Sequence, residues 1–444
     1  MIMLSPEDNE LLTRVGPGTP MGSLFRRFWM PALLSDEVTP DGDPVRLRIM
    51  GEDLLAFRDT SGRVGVVEPY CTHKLAPLFF GRNEDCGLRC VYHGWKFDVT
   101  GACVDMPNVD AAAGERMKHN VGITSYPVRE AGGLVWVYLG TPEGIPGLPN
   151  FEWLGAPQGG VHVSRWLQRT NYAQGLEGDI DSSHISFLHG IPKKGRLSSI
   201  DPIVKDAITK DGAPVLQTIE TESGVTYGAR RNTGDGRYYW RITNWLVPFF
   251  TLIAGGAGAH SGRAWVPVDD EHTMTFDYSF RLDRAFSESE LTLIAAGDHF
   301  PPLTYRAAVP LSDGYVIDTN LPQSNRSNDY EIDRNMQRTV NFTGIRGTND
   351  QDRALQENMR SVPGAGSGRL VDRSREHLVS SDAAGIMVRR KLLRLAKELQ
   401  SGIEPAEAGR NESYRVRSFG RITQIDSLKV LLEDEAHNTA GVPA

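Results

Sequence analysis

The chain has 444 residues, of which 40% are hydrophobic and 23% are charged, and its net charge is −8. This is the composition of a globular protein with a large buried core, and it excludes disorder over most of the length. The acidic balance argues against nucleic acid as the main partner, because phosphate binding needs a basic face. No run of residues is apolar enough to span a membrane and no apolar signal region opens the chain, so we expect a cytoplasmic protein.

The first third predicts a short helix followed by strands. Ser5 before Pro6 is typical of a helix start. Apolar residues alternate with arginines over Val45–Ile49, which is strand periodicity, and the apolar run Leu134–Leu139 predicts a buried strand. Gly140–Asn150 holds three prolines among three glycines, and we place a domain boundary there.

The rest of the chain mixes strands and helices. Strands are predicted at Val215–Glu220, Val225–Arg230 and Tyr238–Trp245. Helices are predicted in the later part of Tyr172–His189, after the capping box of Ser287 and Glu290, and from Ser381 to about Gln400. Such a mixture favours an α+β fold for this part of the chain.

A cluster of cysteines suggests a first metal site. The four cysteines lie within 33 positions of one another: Cys71, Cys86, Cys90 and Cys103. Cys71-x-His73 and Cys90-x-x-His93 supply two thiolates and two imidazoles. Such a set can close a tetrahedral zinc site, or it can hold a [2Fe–2S] cluster with the cysteines on one iron and the histidines on the other. We expect the two remaining cysteines to be small buried side chains.

A second group of ligand-type residues lies further along the chain, in Asp181-x-x-His184-x4-His189. Two imidazoles and one carboxylate on one face of a ferrous ion leave positions open for dioxygen and substrate. Positions five apart on a regular helix lie about 140° around its axis. Both histidines therefore reach one metal only if the helix widens or breaks between them, and a π-like turn would achieve this.

These motifs resemble those of a known enzyme family. The first motif has Tyr92 before its second histidine and Gly94-Trp95-x-Phe97 after it, and it resembles the Rieske domain of non-haem iron oxygenases. The second resembles their mononuclear-iron segment. The segments GTPMGSLFRRFWMPALL, GEDLLAFRDTSGRVG and YGARRNTGDGRYYWR are similar to the phthalate dioxygenase group of α-only oxygenases. Thr72 and Lys74 stand where that group usually has proline and arginine, which bears on the cluster's potential and on reductase docking.

The resemblance implies a fold and a domain organisation. We expect an α+β protein with an N-terminal Rieske-type β domain and a C-terminal catalytic domain of helix-grip type, in which helices accompany an antiparallel sheet. Residues 1–40 are expected to form a helical segment that packs on the catalytic domain, residues 41–145 the Rieske domain, and residues 146–444 the catalytic domain.

The resemblance also implies the metal ligands. Cys71, His73, Cys90 and His93 would hold a [2Fe–2S] cluster. His184 and His189 would hold a mononuclear Fe(II), with a third ligand from an Asp-x4-Glu pattern in the C-terminal part of the chain. Asp352, followed by Glu357, matches that pattern best, and Asp350 is its competitor.

The family further implies an electron route between subunits. Asp181 would bridge His184 to the outer nitrogen of His93 in a neighbouring subunit, and Asn171 is assigned with it to the catalytic centre. Such a route needs a closed ring, so we expect a trimer or a dimer of trimers. A flavin- and ferredoxin-type reductase, driven by NAD(P)H, would supply the electrons.

The expected substrate is an aromatic carboxylate. Arg230 and Arg241 are the candidates to bind its carboxylate, because one inward-facing arginine on a strand can do so bidentately. We expect ring cis-dihydroxylation of a phthalate-like acid. The alternatives are O-demethylation or monooxygenation of a methoxy- or aryloxy-substituted acid and, outside catalysis, a Rieske electron carrier.

Overall fold

The structure is a computed structural model that describes residues 3–190, 201–254, 259–297, 301–364 and 370–439. Its chain starts with two short helices and a strand: α1 (Pro6–Thr13), α2 (Pro20–Phe25) and β1 (Trp29–Leu34). The side chains of Ser5 and Thr19 cap the two helices by accepting backbone hydrogen bonds, and a proline occupies the first turn of each.

The next part of the chain is rich in short strands. Its elements are β2 (Val45–Ile49), β3 (Glu52–Arg58), β4 (Val64–Val67), β5 (Arg82–Glu84), β6 (Gly87–Arg89), β7 (Lys96–Phe97), β8 (Cys103–Asp105), α3 (Ala111–Met117), β9 (Ser125–Tyr126), β10 (Val128–Ala131) and β11 (Leu134–Tyr138). They form three antiparallel sheets in the orders β2-β3-β4-β9, β5-β6-β7-β8 and β1-β11-β10. This is the expected N-terminal Rieske-type β domain.

The C-terminal part is built on one large sheet. Its elements are β12 (Val161–Gln168), α4 (Tyr172–Ile180), α5 (Pro202–Lys210), β13 (Val215–Glu220), β14 (Gly224–Asn232), β15 (Tyr238–Leu246), β16 (Phe250–Ile253), β17 (His260–Pro267), β18 (Thr273–Phe280), α6 (Glu288–Ala295), β19 (Thr304–Pro310), β20 (Val316–Pro322), α7 (Arg334–Thr339), α8 (Thr348–Gln356), α9 (Ala383–Gln400), β21 (Gly420–Thr423) and α10 (Leu428–Thr439). The strands follow the antiparallel order β12-β18-β17-β16-β15-β14-β13, and β21 pairs with β15. The predicted class, an α+β fold with an antiparallel catalytic sheet and helices, is confirmed.

The N-terminal residues connect the two parts of the molecule. Helices α1 and α2 contact α9 of the catalytic part, whereas β1 pairs with β11 of the Rieske part. The first 40 residues therefore contain a strand as well as helices, and the predicted domain limits stay a prediction. Ion pairs also cross between the parts, and Arg46 contacts Asp318 at 2.8 Å.

Helix α4 packs on one face of the large sheet, against β15, β16 and β17. Gly175 allows the close approach, because a Cβ atom there would lie 2.2 Å from the Trp265 ring. Asp179 anchors the helix: its carboxylate accepts hydrogen bonds from Thr251 (2.6 Å) and from the Trp265 indole (2.8 Å), and it pairs with Arg263. These contacts fix the end of α4 at which the second ligand motif begins. In the described ranges, no helix combines the length and the apolar character needed to cross a membrane.

Candidate functional site

Two turns of similar shape carry the first ligand motif. The Cys71 amide donates to the carbonyl of Ala76 (2.9 Å) and the Cys90 amide to that of Trp95 (2.8 Å). In each turn, the amide four residues after the cysteine donates back to that cysteine's carbonyl over 2.9 Å. Gly94 closes the second turn with a positive φ of 79°, where a side chain would be strained and its Cβ would meet the Pro107 ring at 2.6 Å.

The four predicted cluster residues come together at the tips of these turns. The Cys71 and Cys90 thiols are buried beside each other, and burial raises the pKa of Cys71 to about 11. The rings of His73 and His93 have centroids 4.4 Å apart, and the His73 ring stacks on the indole of Trp95. The buried His73 Nδ1 has no hydrogen-bond partner among the described residues. Paired thiols, paired imidazoles and an unpartnered ring nitrogen fit a [2Fe–2S] cluster.

The second motif lies just beyond the end of α4. The helix ends at Ile180, and the chain then forms a 3₁₀ turn, His184–Ser186, so both histidines lie outside the α-helix. The two histidines, five positions apart, therefore reach the same site because the helix ends before them, and not through a π-like turn. The His184 and His189 Nε2 atoms lie 3.1 Å apart.

Helix α8 completes the triad with Asp352. The Asp352 Oδ1 atom lies 3.2 Å from His189 Nε2 and 3.7 Å from His184 Nε2. Ligands about 2.1 Å from a metal and at right angles to one another lie about 3 Å apart, so this triangle fits three neighbouring positions of one ion. Asp350 points elsewhere: it pairs with Arg353 at 2.9 Å, and burial raises its pKa to about 6.

Both histidines have a polar partner on the far side of the ring. His184 Nδ1 lies 3.3 Å from the carboxylate of Asp181, whose other oxygen accepts from the backbone amide and the hydroxyl of Ser183. Burial opposes ionisation, but the hydrogen bond with His184 and those from Ser183 lower the pKa of Asp181 to about 2. His189 Nδ1 lies 2.8 Å from Gln351 Oε1, a contact that no sequence signal indicated.

The two candidate arginines lie on opposite faces of the large sheet. Arg241 pairs in register with Ala229 and shares the face on which α4 packs, whereas Arg230 pairs with Trp240 on the other face. Arg230 donates to the carbonyl of Asp426 (3.1 Å) and stacks over Tyr238. The structure therefore does not bring Arg230 together with the triad, since the pleat directs its side chain to the other face.

Arg241 forms the centre of a polar patch that sequence analysis only partly found. Its Nη1 is buried without a hydrogen-bond partner among the described residues, and the Tyr227 and Thr243 hydroxyls beside it form no well-aligned hydrogen bond there. Burial alone would lower the pKa of His189, but the neighbouring Asp352 carboxylate outweighs burial, and the pKa is raised. The positive charge of Arg241 reduces this rise. Arg241 thus lies within electrostatic reach of the triad.

Asn171 lies at the opposite end of α4 from the metal triad. It caps the helix by accepting from the Ala173 amide, and its own amide donates to the carbonyls of Thr13 (2.9 Å) and Asp270 (2.8 Å). A nine-residue helix is about 13 Å long, so Asn171 does not reach the metal triad. The structure therefore does not bring Asn171 together with the triad, and its side chain anchors the start of α4 instead.

The fold and the two sites define a class of protein. A Rieske-type turn pair with two thiols and two imidazoles, joined to an antiparallel catalytic sheet that carries a His–His–carboxylate triad, is the arrangement of a Rieske non-haem iron oxygenase. Enzymes of this class are oxidoreductases that use dioxygen and receive electrons from a reductase or ferredoxin partner. Their cofactors are a [2Fe–2S] cluster and a mononuclear iron.

Comparisons with known proteins agree with this class. Residues 28–127 match the Rieske [2Fe-2S] domain, and residues 137–427 match the family described as LigXa C-terminal domain like. The chain is 38% identical over 431 residues to the 3-chlorobenzoate-3,4-dioxygenase oxygenase subunit of Comamonas testosteroni, covering 94% of each chain. It is 36% identical to the phthalate 4,5-dioxygenase oxygenase subunit of Pseudomonas putida, covering 96% of this chain and 93% of that one.

The fold also matches a solved structure. The crystal structure of dicamba monooxygenase bound to dicamba superposes with a TM-score of 0.55 at 17% identity, covering 86% of this chain and 99% of that one. Together with the sequence matches, this shows that the chain belongs to the Rieske oxygenases with a LigXa-like C-terminal domain.

Proposed function

We propose that this protein is the terminal oxygenase of a multicomponent system that oxidises an aromatic carboxylate. The observation that carries this proposal is the buried Nη1 of Arg241, which has no hydrogen-bond partner within the described part of the chain and lies on the sheet face that packs against α4. A buried donor atom of a charged group is costly to leave without a hydrogen bond, and a bound carboxylate would satisfy it. The matched relatives named for 3-chlorobenzoate and phthalate support an aromatic acid as that anion.

A second guanidinium makes this patch more positive. Arg231 lies in the same region, and its side chain is already used by the carbonyls of Asp211 and Ser182. Burial, and then the charge of Arg241, lower the pKa of Arg231 to about 10. The positive charges of the buried Arg231 and the half-buried Arg241 repel each other, and a bound anion would reduce that repulsion. The Nη1 atom of Arg241, which has no partner among the residues described, is placed to bind it. We therefore assign the substrate carboxylate to Arg241, with the Tyr227 hydroxyl as a neighbouring polar contact.

The proposed ligands are the ones expected from sequence. Cys71, His73, Cys90 and His93 would hold the cluster, and His184, His189 and Asp352 would hold the iron. When bound, the cluster supplies electrons one at a time and the iron activates dioxygen for transfer to the substrate. Arg241 fixes the distance of the substrate's ring from the triad, because it binds the carboxylate at one end of the molecule. The carbon that then faces the triad decides between ring cis-dihydroxylation and hydroxylation of a substituent.

Electron supply needs a second copy of the chain in this proposal. Apolar side chains surround the cluster end of the Rieske domain in exposed positions: Leu75, Val91 and Tyr92. The surface beside Asp181 and His184 is lined by apolar residues as well, which are Leu188, Leu355, Met359 and Ile386. These two surfaces differ, so their contact is head-to-tail, and a head-to-tail contact whose rotation closes forms a ring such as a trimer. Asp181 would then accept a hydrogen bond from the partner subunit's His93, and a flavin- and ferredoxin-type reductase would reduce the cluster.

The experiment is a substrate screen with a matched pair of variants. The purified oxygenase, with a reductase from a related system, is assayed for oxygen uptake and product with benzoates, phthalates and methoxybenzoates. We expect Arg241→Gln to lower kcat/KM for the preferred acid about 10–100-fold, since a hydrogen bond to a charged group contributes about 1.5–3 kcal/mol. Arg230→Gln, on the other face, should retain wild-type kcat/KM. Equal activity of Arg241→Gln on the acid and on its uncharged amide analogue supports the assignment, whereas an unchanged kcat/KM for the acid would overturn it. A cis-diol product indicates dioxygenation, and formaldehyde indicates O-demethylation.

A further inference from the structure

Gln351 lies between the iron triad and a backbone carbonyl, and both ends of its side chain are used. Its Oε1 atom lies 2.8 Å from His189 Nδ1, and its Nε2 atom donates to the carbonyl of Ile345 over 2.8 Å. The side chain is buried. It comes immediately before Asp352 on α8, so the helix that supplies the carboxylate ligand also supports the neighbouring histidine.

The contact with Ile345 fixes which way the amide of Gln351 faces. A carbonyl oxygen can only accept a hydrogen bond, so the NH₂ group of Gln351 must face Ile345. Its oxygen must then face His189, and that oxygen can only accept as well. His189 therefore carries its proton on Nδ1, which leaves the lone pair of Nε2 directed at the triad.

From this geometry we infer that Gln351 is a positioning residue that holds His189 in the metal-binding tautomer and ring orientation. The inference rests on the proposed iron site, because it concerns one of its three ligands. The support of the two histidines is then unequal: Asp181 gives His184 a charged acceptor, whereas Gln351 gives His189 a neutral one. A ring partner of this kind normally contributes 10–100-fold to metal affinity or activity.

Two substitutions separate the two hydrogen bonds of Gln351. Gln351→Glu keeps an oxygen acceptor for His189 but loses the donor to Ile345. Gln351→Leu loses both. If Gln351 acts only by tying the preceding loop to α8, the two variants should be equally impaired. If it acts on His189, glutamate should preserve metal binding and leucine should not.

The measurement is the dissociation constant for ferrous iron, determined by chelator competition on anaerobic protein whose cluster is intact and whose mononuclear site has been emptied. The visible spectrum of the cluster reports that each variant is folded. We expect Gln351→Leu to bind ferrous iron about 10–100-fold more weakly than wild type, and Gln351→Glu to bind it at least as tightly as wild type. The same order is expected with Co²⁺, whose visible absorption reports the geometry of the site directly.

The outcomes separate this inference from the proposed function. Wild-type protein that takes up no ferrous iron beyond its cluster would refute the proposed iron site itself. If wild type binds iron and Gln351→Leu binds it equally well, only the role of Gln351 is refuted. Equal weakening in both variants would also refute it, since the contact with Ile345 would then account for the effect.

Discussion

Glu177 is a half-buried carboxylate held between two arginines, and its replacement by glutamine tests how α4 is anchored. Arg373 Nη2 lies 2.9 Å from one of its oxygens, and Arg389 Nε, on α9, lies 2.7 Å from the other. Glu177 stands one helical turn before Asp181, so this ion cluster supports the segment that carries the triad's histidines.

The size of the effect follows from the pKa of Glu177. Burial would raise that pKa, but the charges of Arg373 and Arg389 lower it from 4.5 to about 2. At about 1.4 kcal/mol per pKa unit, the ionised carboxylate contributes about 3 kcal/mol to the free energy of unfolding. The unfolded state takes up the proton first as the pH falls, so this contribution is complete above the unfolded pKa of 4.5 and is lost as the pH approaches 2. By pH 3 about 2 kcal/mol of it should be gone.

The assay is urea unfolding of the catalytic domain, followed by tryptophan fluorescence, for wild type and Glu177→Gln at pH 7 and pH 3. At pH 7 the free energy of unfolding of the variant should be about 3–5 kcal/mol lower than that of wild type, because the substitution leaves the fully buried guanidinium of Arg373 without a counter-charge. At pH 3 the difference should shrink by about 2 kcal/mol. Glu10→Gln is the control, since Glu10 pairs with Arg14 on the surface. That substitution should change the free energy of unfolding by less than about 1 kcal/mol. A Glu177→Gln difference that stays constant between the two pH values would refute the reasoning.

Further substitutions test the proposed roles at the two metal sites. Asp181→Asn should leave both centres formed but lower turnover at least 10–100-fold, because the amide cannot replace the charged acceptor of His184. Native turnover in that variant would contradict the bridging role. Asp352→Ala should lose the mononuclear iron and keep the cluster, as measured by iron and acid-labile sulfide per chain, whereas Asp350→Asn should keep both. Cys71→Ser should lose acid-labile sulfide and the visible cluster spectrum. Cys103→Ser should retain both, and loss of sulfide there would mean that the cluster ligands are misassigned.

The sequence alone determined the parts of each site that lie close together in the chain. Cys71 with His73, Cys90 with His93, and His184 with His189 are separated by at most five positions, so local turns bring each pair to one place. Their role as metal ligands could be predicted from their spacing, because the ligand chemistry of these sites restricts the residue types to cysteine and histidine. The same holds for the capped starts of α1 and α6, where Ser5 and Ser287 cap as predicted.

The tertiary structure decided which distant residues join these pairs. Asp350 and Asp352 are two positions apart on α8, which turns their side chains by about 200°, so only the docking of that helix selects Asp352. Arg230 and Arg241 lie on paired strands, and the register of β14 with β15 sends one to each face. Asn171 and Gln351 gave no sequence signal of their roles. The hydrogen bonds that define them reach Thr13, Asp270 and His189, which only the packed fold brings near.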